Sequence, residues 1–243
     1  VKRSLSFRRD ALLACEVSLV LLAGLFASVA TAEPTPDSTC ADGVGEATAR
    51  LVQARYDGIR DLRADFIQES QSASFAGVPL MDADAKSGRV VFAKPGKMRW
   101  TYVSPEASVV VSDGSTLWIY DVEGGTATRL AVTAGYLSGA AFQFLLGDGN
   151  LLKEFEVAAT SCSAERITMD LTPRGDASYE RLGLVADAKT GDIEETLMVD
   201  LFGNRTAIRF DAMKTNQKPE ASVFRFEVPA GVELIDYEAP PAG

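Results

Sequence analysis

The chain has 243 residues, of which 47% are apolar and 24% charged, with a formal charge of −10 and no histidine. The missing imidazole excludes Ser-His-Asp and Cys-His nucleophilic sites and any histidine-ligated metal. The acidic balance argues against nucleic acid, whose phosphates need basic patches, and against electrostatic adhesion to an anionic membrane.

Lys2, Arg3, Arg8 and Arg9 precede an apolar run from Ala11 to Ala32 that only Glu16 interrupts. The run ends in Ala30-Thr31-Ala32, a small-x-small site ahead of Glu33. That layout predicts a secretory signal peptide over residues 1–32, cleaved after Ala32, with an N-terminal membrane anchor as the alternative. Leu12-Leu13-Ala14-Cys15 resembles a lipidation box, but the apolar segment follows this cysteine where it should precede it, so an exported chain without its own lipid is expected. Removing residues 1–32 takes away four basic and two acidic side chains and moves the formal charge from −10 to −12. Residues 33–42 read as a Pro/Thr/Ser linker, and residues 43–243 as a single domain. Cys40 and Cys162 remain in the exported part; an oxidising compartment allows one disulfide, and two free thiols are the alternative.

An amphipathic helix is predicted from Val44 to Arg60, with Val44, Ala47, Leu51, Val52 and Ile59 on one side and Asp42 as its cap. Then the apolar period changes to two. Strands are expected at Phe66–Gln71, Arg89–Ala93, Met98–Val103, Ser108–Ser112 and Leu117–Asp121, joined by turns at Pro95-Gly96, Ser104-Pro105 and Asp113-Gly114. Ala141, Phe142, Leu145 and Leu146 form one helical face that Gly147 stops. Strands resume through Ile167, Met169 and Leu171, then Leu182 and Leu184, a hairpin at Asp187–Asp192, and Thr196–Leu201, Thr206–Asp211 and Phe224–Val228. About ten strands with one apolar face predict a mainly β fold, in which curling the sheet encloses an apolar interior. Asp82 with Asp84, and Glu194 with Glu195, could be offered as acid-base pairs of a hydrolase. Their turn and loop context instead reads as solvated surface, and neither a nucleophile elbow nor a phosphate loop is present. No enzyme, cofactor or metal is expected.

The stretch from Phe92 to Asp121 holds both tryptophans of the chain, Trp100 and Trp118. Gly88, Phe92, the run Lys94-Pro95-Gly96-Lys97-Met98-Arg99-Trp100, Pro105, and Val111-Ser112-Asp113-Gly114 followed by Leu117, Trp118 and Tyr120 resemble the LolA family of periplasmic outer-membrane lipoprotein carriers. The resemblance extends to Phe66-Ile67-Gln68 and to Phe224-Arg225-Phe226, Val228-Pro229 and Gly231-Val232, covering about Leu51 to Asp236. It implies an open, incomplete antiparallel β-barrel with a lid of short helices. It also implies a periplasmic carrier that takes acyl chains of lipoproteins from an inner-membrane lipoprotein-releasing transporter and passes them to an outer-membrane lipoprotein acceptor. A monomer is expected, and a carrier or binding module for a phospholipid or glycolipid is the alternative on the same fold. In the best-known carriers an arginine directly precedes the proline of this motif and hydrogen-bonds lid carbonyls; here that position is Lys94, a flexible three-donor cation in place of a planar five-donor fork.

Each methylene removed from water is worth about 0.8 kcal/mol, so a chain of about 15 carbons gains on the order of 12 kcal/mol from an apolar wall. The residues expected to form that wall are Phe66, Phe92, Met98, Trp100, Tyr102, Trp118, Tyr120 and Met169, the methionines suiting variable chains. Phe142, Leu145 and Leu146 are the expected lid, and Lys94 or Arg99 its latch. Alternation puts Met98, Trp100 and Tyr102 on one face and Arg99, Thr101 and Val103 on the other. Which face is inward stays open at this level, as does the choice between a packed core and a ligand wall.

Overall fold

The computed structural model describes residues 40–73, 84–132 and 149–237, all within one compact unit. The expected signal peptide, most of the linker, Asp82 and the lid residues Phe142, Leu145 and Leu146 lie outside the described residues.

Helix α1 spans Val44–Asp57. It ends earlier than expected because Gly58 closes it and the chain enters a strand at Asp61. Gly43, with φ 80°, stands at its N-terminus and makes no side-chain cap, so the capping role expected of Asp42 is not taken up. The buried stripe is Gly45, Thr48, Ala49, Val52 and Tyr56, rotated from the expected one, and Ala47 is exposed. The rotation follows from a close approach: a Cβ on Gly45 would lie 2.8 Å from the backbone nitrogen of Ala159. A helix can come that near a strand only through a residue without a side chain. Just before this helix, Cys40 is disulfide-bonded to Cys162, with Cα atoms 5.4 Å apart.

Among the described residues, twelve strands form one sheet. In chain order they are β1 Asp61–Gln71, β2 Lys86–Ala93, β3 Lys97–Ser104, β4 Ser108–Asp113, β5 Thr116–Asp121 and β6 Thr126–Ala131, then, after the short helix α2 (Leu151–Glu154), β7 Phe155–Cys162, β8 Arg166–Pro173, β9 Tyr179–Asp187, β10 Ile193–Asp200, β11 Arg205–Thr215 and β12 Glu233–Tyr237. Their spatial order is β12-β6-β5-β4-β3-β2-β1-β11-β10-β9-β8-β7. The fold is therefore mainly β with few helices, and its sheet is open. β1 and β11 meet in the middle, and the two meanders run outward to edges that do not pair with each other.

Four differences from the expected pattern matter for the site. Strands β6 and β7 were not foreseen, and β1 begins five residues before Phe66. The expected strand Phe224–Val228 is instead a 3-10 turn, Ala221–Phe224, followed by unpaired extended chain. The closing strand is β12, and it joins β6 in parallel, the one exception to an otherwise antiparallel sheet.

Candidate functional site

The two faces of the sheet can be followed residue by residue, because directly opposite partners in a ladder share a face. Val90 pairs with Trp100 and Phe92 with Met98. Trp100 continues to Val110, and Val110 to Ile119. Toward the other edge, Phe66 pairs with Phe210 and Gln68 with Ile208, Thr196 with Ile208, and Met169 with Leu184. These residues belong to the inner face, where Ala49, Val52 and Tyr56 of α1 pack into the same apolar cluster.

Trp100 lies at the centre of this face. Its ring is 4.6 Å from Phe66, 5.8 Å from Phe92, 6.2 Å from Tyr102 and 6.4 Å from Phe210, all tilted or edge-on. Gly88 makes the arrangement possible, since a Cβ there would fall 1.9 Å from the Thr101 carbonyl oxygen and 3.0 Å from the Phe66 ring. Phe66, Phe92, Met98, Trp100 and Met169 are all buried, so in this state the inner face is a packed core. An open groove of about 580 Å³ lies on the outer face, bordered by Ile67, Arg89, Val91, Arg99 and Val103.

Phenols bring polarity to the apolar cluster: Tyr102, Tyr56 and Tyr179, the last with its pKa raised by burial and by the nearby Glu154. Tyr102 donates to Gln68 Oε1 at 2.9 Å, and burial pushes its pKa up to about 12, partly offset by a hydrogen bond with Trp100. Tyr56, at the end of α1, accepts from the Ile193 backbone N–H at 3.2 Å and contacts Met213 Sδ at 3.9 Å. Burial likewise pushes it up to about 12, partly offset by the Ile193 bond.

Of the residues expected in the apolar wall, Phe66, Phe92, Met98, Trp100, Tyr102 and Met169 share the inner face. Trp118 and Tyr120 do not. Trp118 pairs with Val111 and Arg129, and Val111 with Arg99, which puts this row on the outer face. There Trp118 and Tyr120 pack at 5.3 and 5.5 Å on Phe226 of the C-terminal segment, and the Arg129 guanidinium lies 5.8 Å over the Trp118 ring. The physical reason is the tight turn between β4 and β5, whose length puts Leu117 and Ile119, and not Trp118, in line with Met98 and Trp100. Ile208 and Phe210 were missed as site residues, although their alternation with Ala207 and Arg209 was readable.

The two expected latch cations also separate. Lys94 donates through Nζ to the Tyr56 carbonyl at 2.6 Å, and through its backbone N–H to the Arg60 carbonyl at 2.8 Å. It thus ties the β2–β3 turn to the C-terminal end of α1, where a cation suits the helix dipole. Arg99 donates to the Val223 carbonyl at 3.3 Å on the outer face and holds the C-terminal segment. Of the carboxylate pairs, Glu194 accepts from Arg166 at 2.5 Å, while Glu195 borders a separate outer groove together with Asp84.

A family model described as outer membrane lipoprotein carrier protein LolA matches residues 57–227. The chain belongs to the LolA family. The outer-membrane lipoprotein carrier protein of Cupriavidus pinatubonensis is 31% identical over 185 residues, spanning 76% of this chain and 85% of that protein. The protein of the same name from Dechloromonas aromatica is 33% identical over 195 residues, spanning 77% and 92%. Among solved structures, a LolA superfamily protein from Nitrosomonas europaea overlays with a TM-score of 0.39 at 14% identity, over 73% of this chain and 97% of that one. The matched segment opens at the last residue of α1 and closes just beyond Phe226. It therefore takes in the Trp100 cluster, Lys94 and Arg99, residues that the LolA-like motif had singled out.

Proposed function

We propose that this protein is a periplasmic carrier that takes lipoproteins from an inner-membrane releasing transporter, shelters their acyl chains against the inner face centred on Trp100, and delivers them to an outer-membrane acceptor. In this reading the protein works as a monomer, is exported by residues 1–32, and catalyses no bond change. The observation that carries it is the continuous apolar inner face from Phe92 to Met169 in a chain of the lipoprotein-carrier family. An acyl chain gains on the order of 12 kcal/mol on leaving water, which a wide apolar wall supplies without specific polar contacts.

Since that wall is packed, we take loading to open it where the end of α1 meets the β2–β3 turn. The Lys94 bond to the Tyr56 carbonyl lies on that path, which makes Lys94 the better latch of the two cations. Arg99 acts on the opposite face.

The test combines release and spectroscopy. Added to inner membranes bearing native lipoproteins, the protein is expected to bring them into the soluble fraction. In single-tryptophan variants, Trp118→Phe should keep an emission change on acyl-chain binding and Trp100→Phe should lose it. Recovery of only phospholipid or glycolipid from the purified protein, with no lipoprotein released, rejects the reading in favour of another lipid cargo.

A further inference from the structure

The inner face changes in character along its strands. On β1 the inward side chains run from Phe66 to Gln68 and Ser70, on β11 from Phe210 to Ile208 and Thr206, and on β3 from Trp100 to Tyr102. Register brings the ends of β1 and β11 together, pairing Gln68 with Ile208 and Ser70 with Thr206. Phe66 and Trp100 are buried, whereas Gln68, Ser70, Tyr102 and Thr206 are half-buried, at the end of the sheet remote from Lys94. The polar row stays in touch with the apolar wall, because Thr206 pairs with Met198, and Met198 with the buried Leu182.

These four side chains form a chain of neutral hydrogen bonds. Tyr102 Oη donates to Gln68 Oε1 at 2.9 Å, Gln68 Nε2 donates to Ser70 Oγ at 3.5 Å, and the Ser70 and Thr206 hydroxyls meet at 3.5 Å. The two longer contacts stand at the limit of bonding distance. Donor hydrogens also outnumber the bonds. The amide nitrogen carries two and each of the three hydroxyls one, five in all, and the three bonds use three of them. The two left over sit on Gln68 Nε2 and on one of the Ser70–Thr206 hydroxyls. Spare neutral donors at the border of an apolar wall suit a ligand that offers uncharged acceptors at the head of an apolar chain. Lys86, opposite Gln68 on β2, is exposed and lies outside this chain of bonds.

We propose that Gln68, Ser70, Tyr102 and Thr206 form a subsite for the ester carbonyls that join acyl chains to their polar head. The subsite rests on the carrier reading and adds a direction to it, with carbonyls held at this rim and tails running along the strands toward Trp100. A carbonyl oxygen accepts hydrogen bonds and donates none. Drawn to the border of an apolar wall it loses water, and that loss is costly unless a protein donor takes the water's place. Such carbonyls occur in the diacylglyceryl group of a lipoprotein and in a phospholipid alike.

The experiment uses the full exported chain and two matched pairs of probes, with affinities read by calorimetry. One pair is a short diacylglyceryl-cysteine peptide and its dialkyl ether analogue; the other is a short-chain phosphatidylcholine and its ether analogue. The parent protein should bind the ester lipopeptide roughly tenfold more tightly than the ether one, as two net hydrogen bonds imply. A Gln68→Met/Ser70→Ala/Thr206→Val variant, which removes the spare donors, should lose that preference. The readout is a ratio within one protein, so a change in stability does not imitate it. Equal affinity of the parent for ester and ether lipopeptide, or an undiminished preference in the triple variant, overturns the proposal. An ester preference confined to phosphatidylcholine also overturns it, by assigning the rim to phospholipid. Lipoprotein release from inner membranes is scored separately: lost release counts against the carrier reading, and a missing ester preference with release intact counts against the subsite alone.

Discussion

Lys94 and Arg99 show how much one position in a strand register decides. They are five residues apart and carry the same charge, yet one reaches a helix end associated with the inner face and the other a carbonyl of the C-terminal segment on the outer face. Lys94→Leu removes a charged donor from the Tyr56 carbonyl at the end of α1. It should cost about 1 kcal/mol in urea unfolding and raise the binding of an apolar dye, because the bond joins α1 to the sheet. Arg99→Leu should cost a similar amount and leave dye binding at the parent level. Equal dye binding by the two variants would show that the end of α1 does not control access to the inner face, and Lys94 would lose its role as latch.

Among the elements, the meander from β1 to β5 was readable because large apolar residues alternate there and Pro-Gly and Asp-Gly pairs mark its turns. β6 was not, since its inward positions are Thr126, Thr128 and Leu130, and two threonines in that row leave little apolar periodic signal. The inner-face residues followed from alternation around Trp100, whereas the facing of Trp118 depended on a turn length that only the ladder register settles. Least legible was the C-terminal segment. Its Phe224-Arg225-Phe226 alternates like a strand, but it lies across the outer face, and a packed segment needs no ladder to show period two. Asp61 anchors its start: this buried carboxylate accepts from the backbone N–H groups of Gln217 at 2.7 Å and Lys218 at 3.1 Å. Asp61→Ala should destabilise the protein by about 2–3 kcal/mol, the scale for bonds to a charged group. It should also speed amide hydrogen exchange in β12, to which this segment leads, more than in β8 or β9. Unchanged exchange in β12 would mean that Phe226 and the Arg129–Asp236 ion pair hold the edge without Asp61.

At the scale of the whole molecule, an open sheet has two edges and one apolar face to protect. The disulfide and the close contact of Gly45 hold α1 against β7 at one edge, and the parallel strand β12 finishes the other. Between them the core takes in Tyr56, Tyr102 and Tyr179, all with raised pKa values, and the first two predict an alkaline limit for the fold. Tyr56 and Tyr102 have folded pKa values raised from 10.0 to about 12, chiefly by burial. The folded state therefore keeps protons that the unfolded state releases in that window, and stability falls with rising pH. It is intact below pH 10 and is lost progressively up to about 12, where two pKa units correspond to about 2–3 kcal/mol for each phenol. The lowered carboxyls of Asp113, Asp187 and Asp200 act in the opposite sense, favouring the fold above the ordinary carboxylate range and losing that effect as pH falls through it. Thermal melts should accordingly show a broad plateau that bends down above pH 10. Tyr102→Phe should make that descent shallower, because a ring without a hydroxyl has no proton to lose. Acyl-chain binding should weaken over the same window if ionising these phenols loosens the inner face. A descent identical in Tyr102→Phe and the parent protein would place the alkaline limit in groups other than Tyr102.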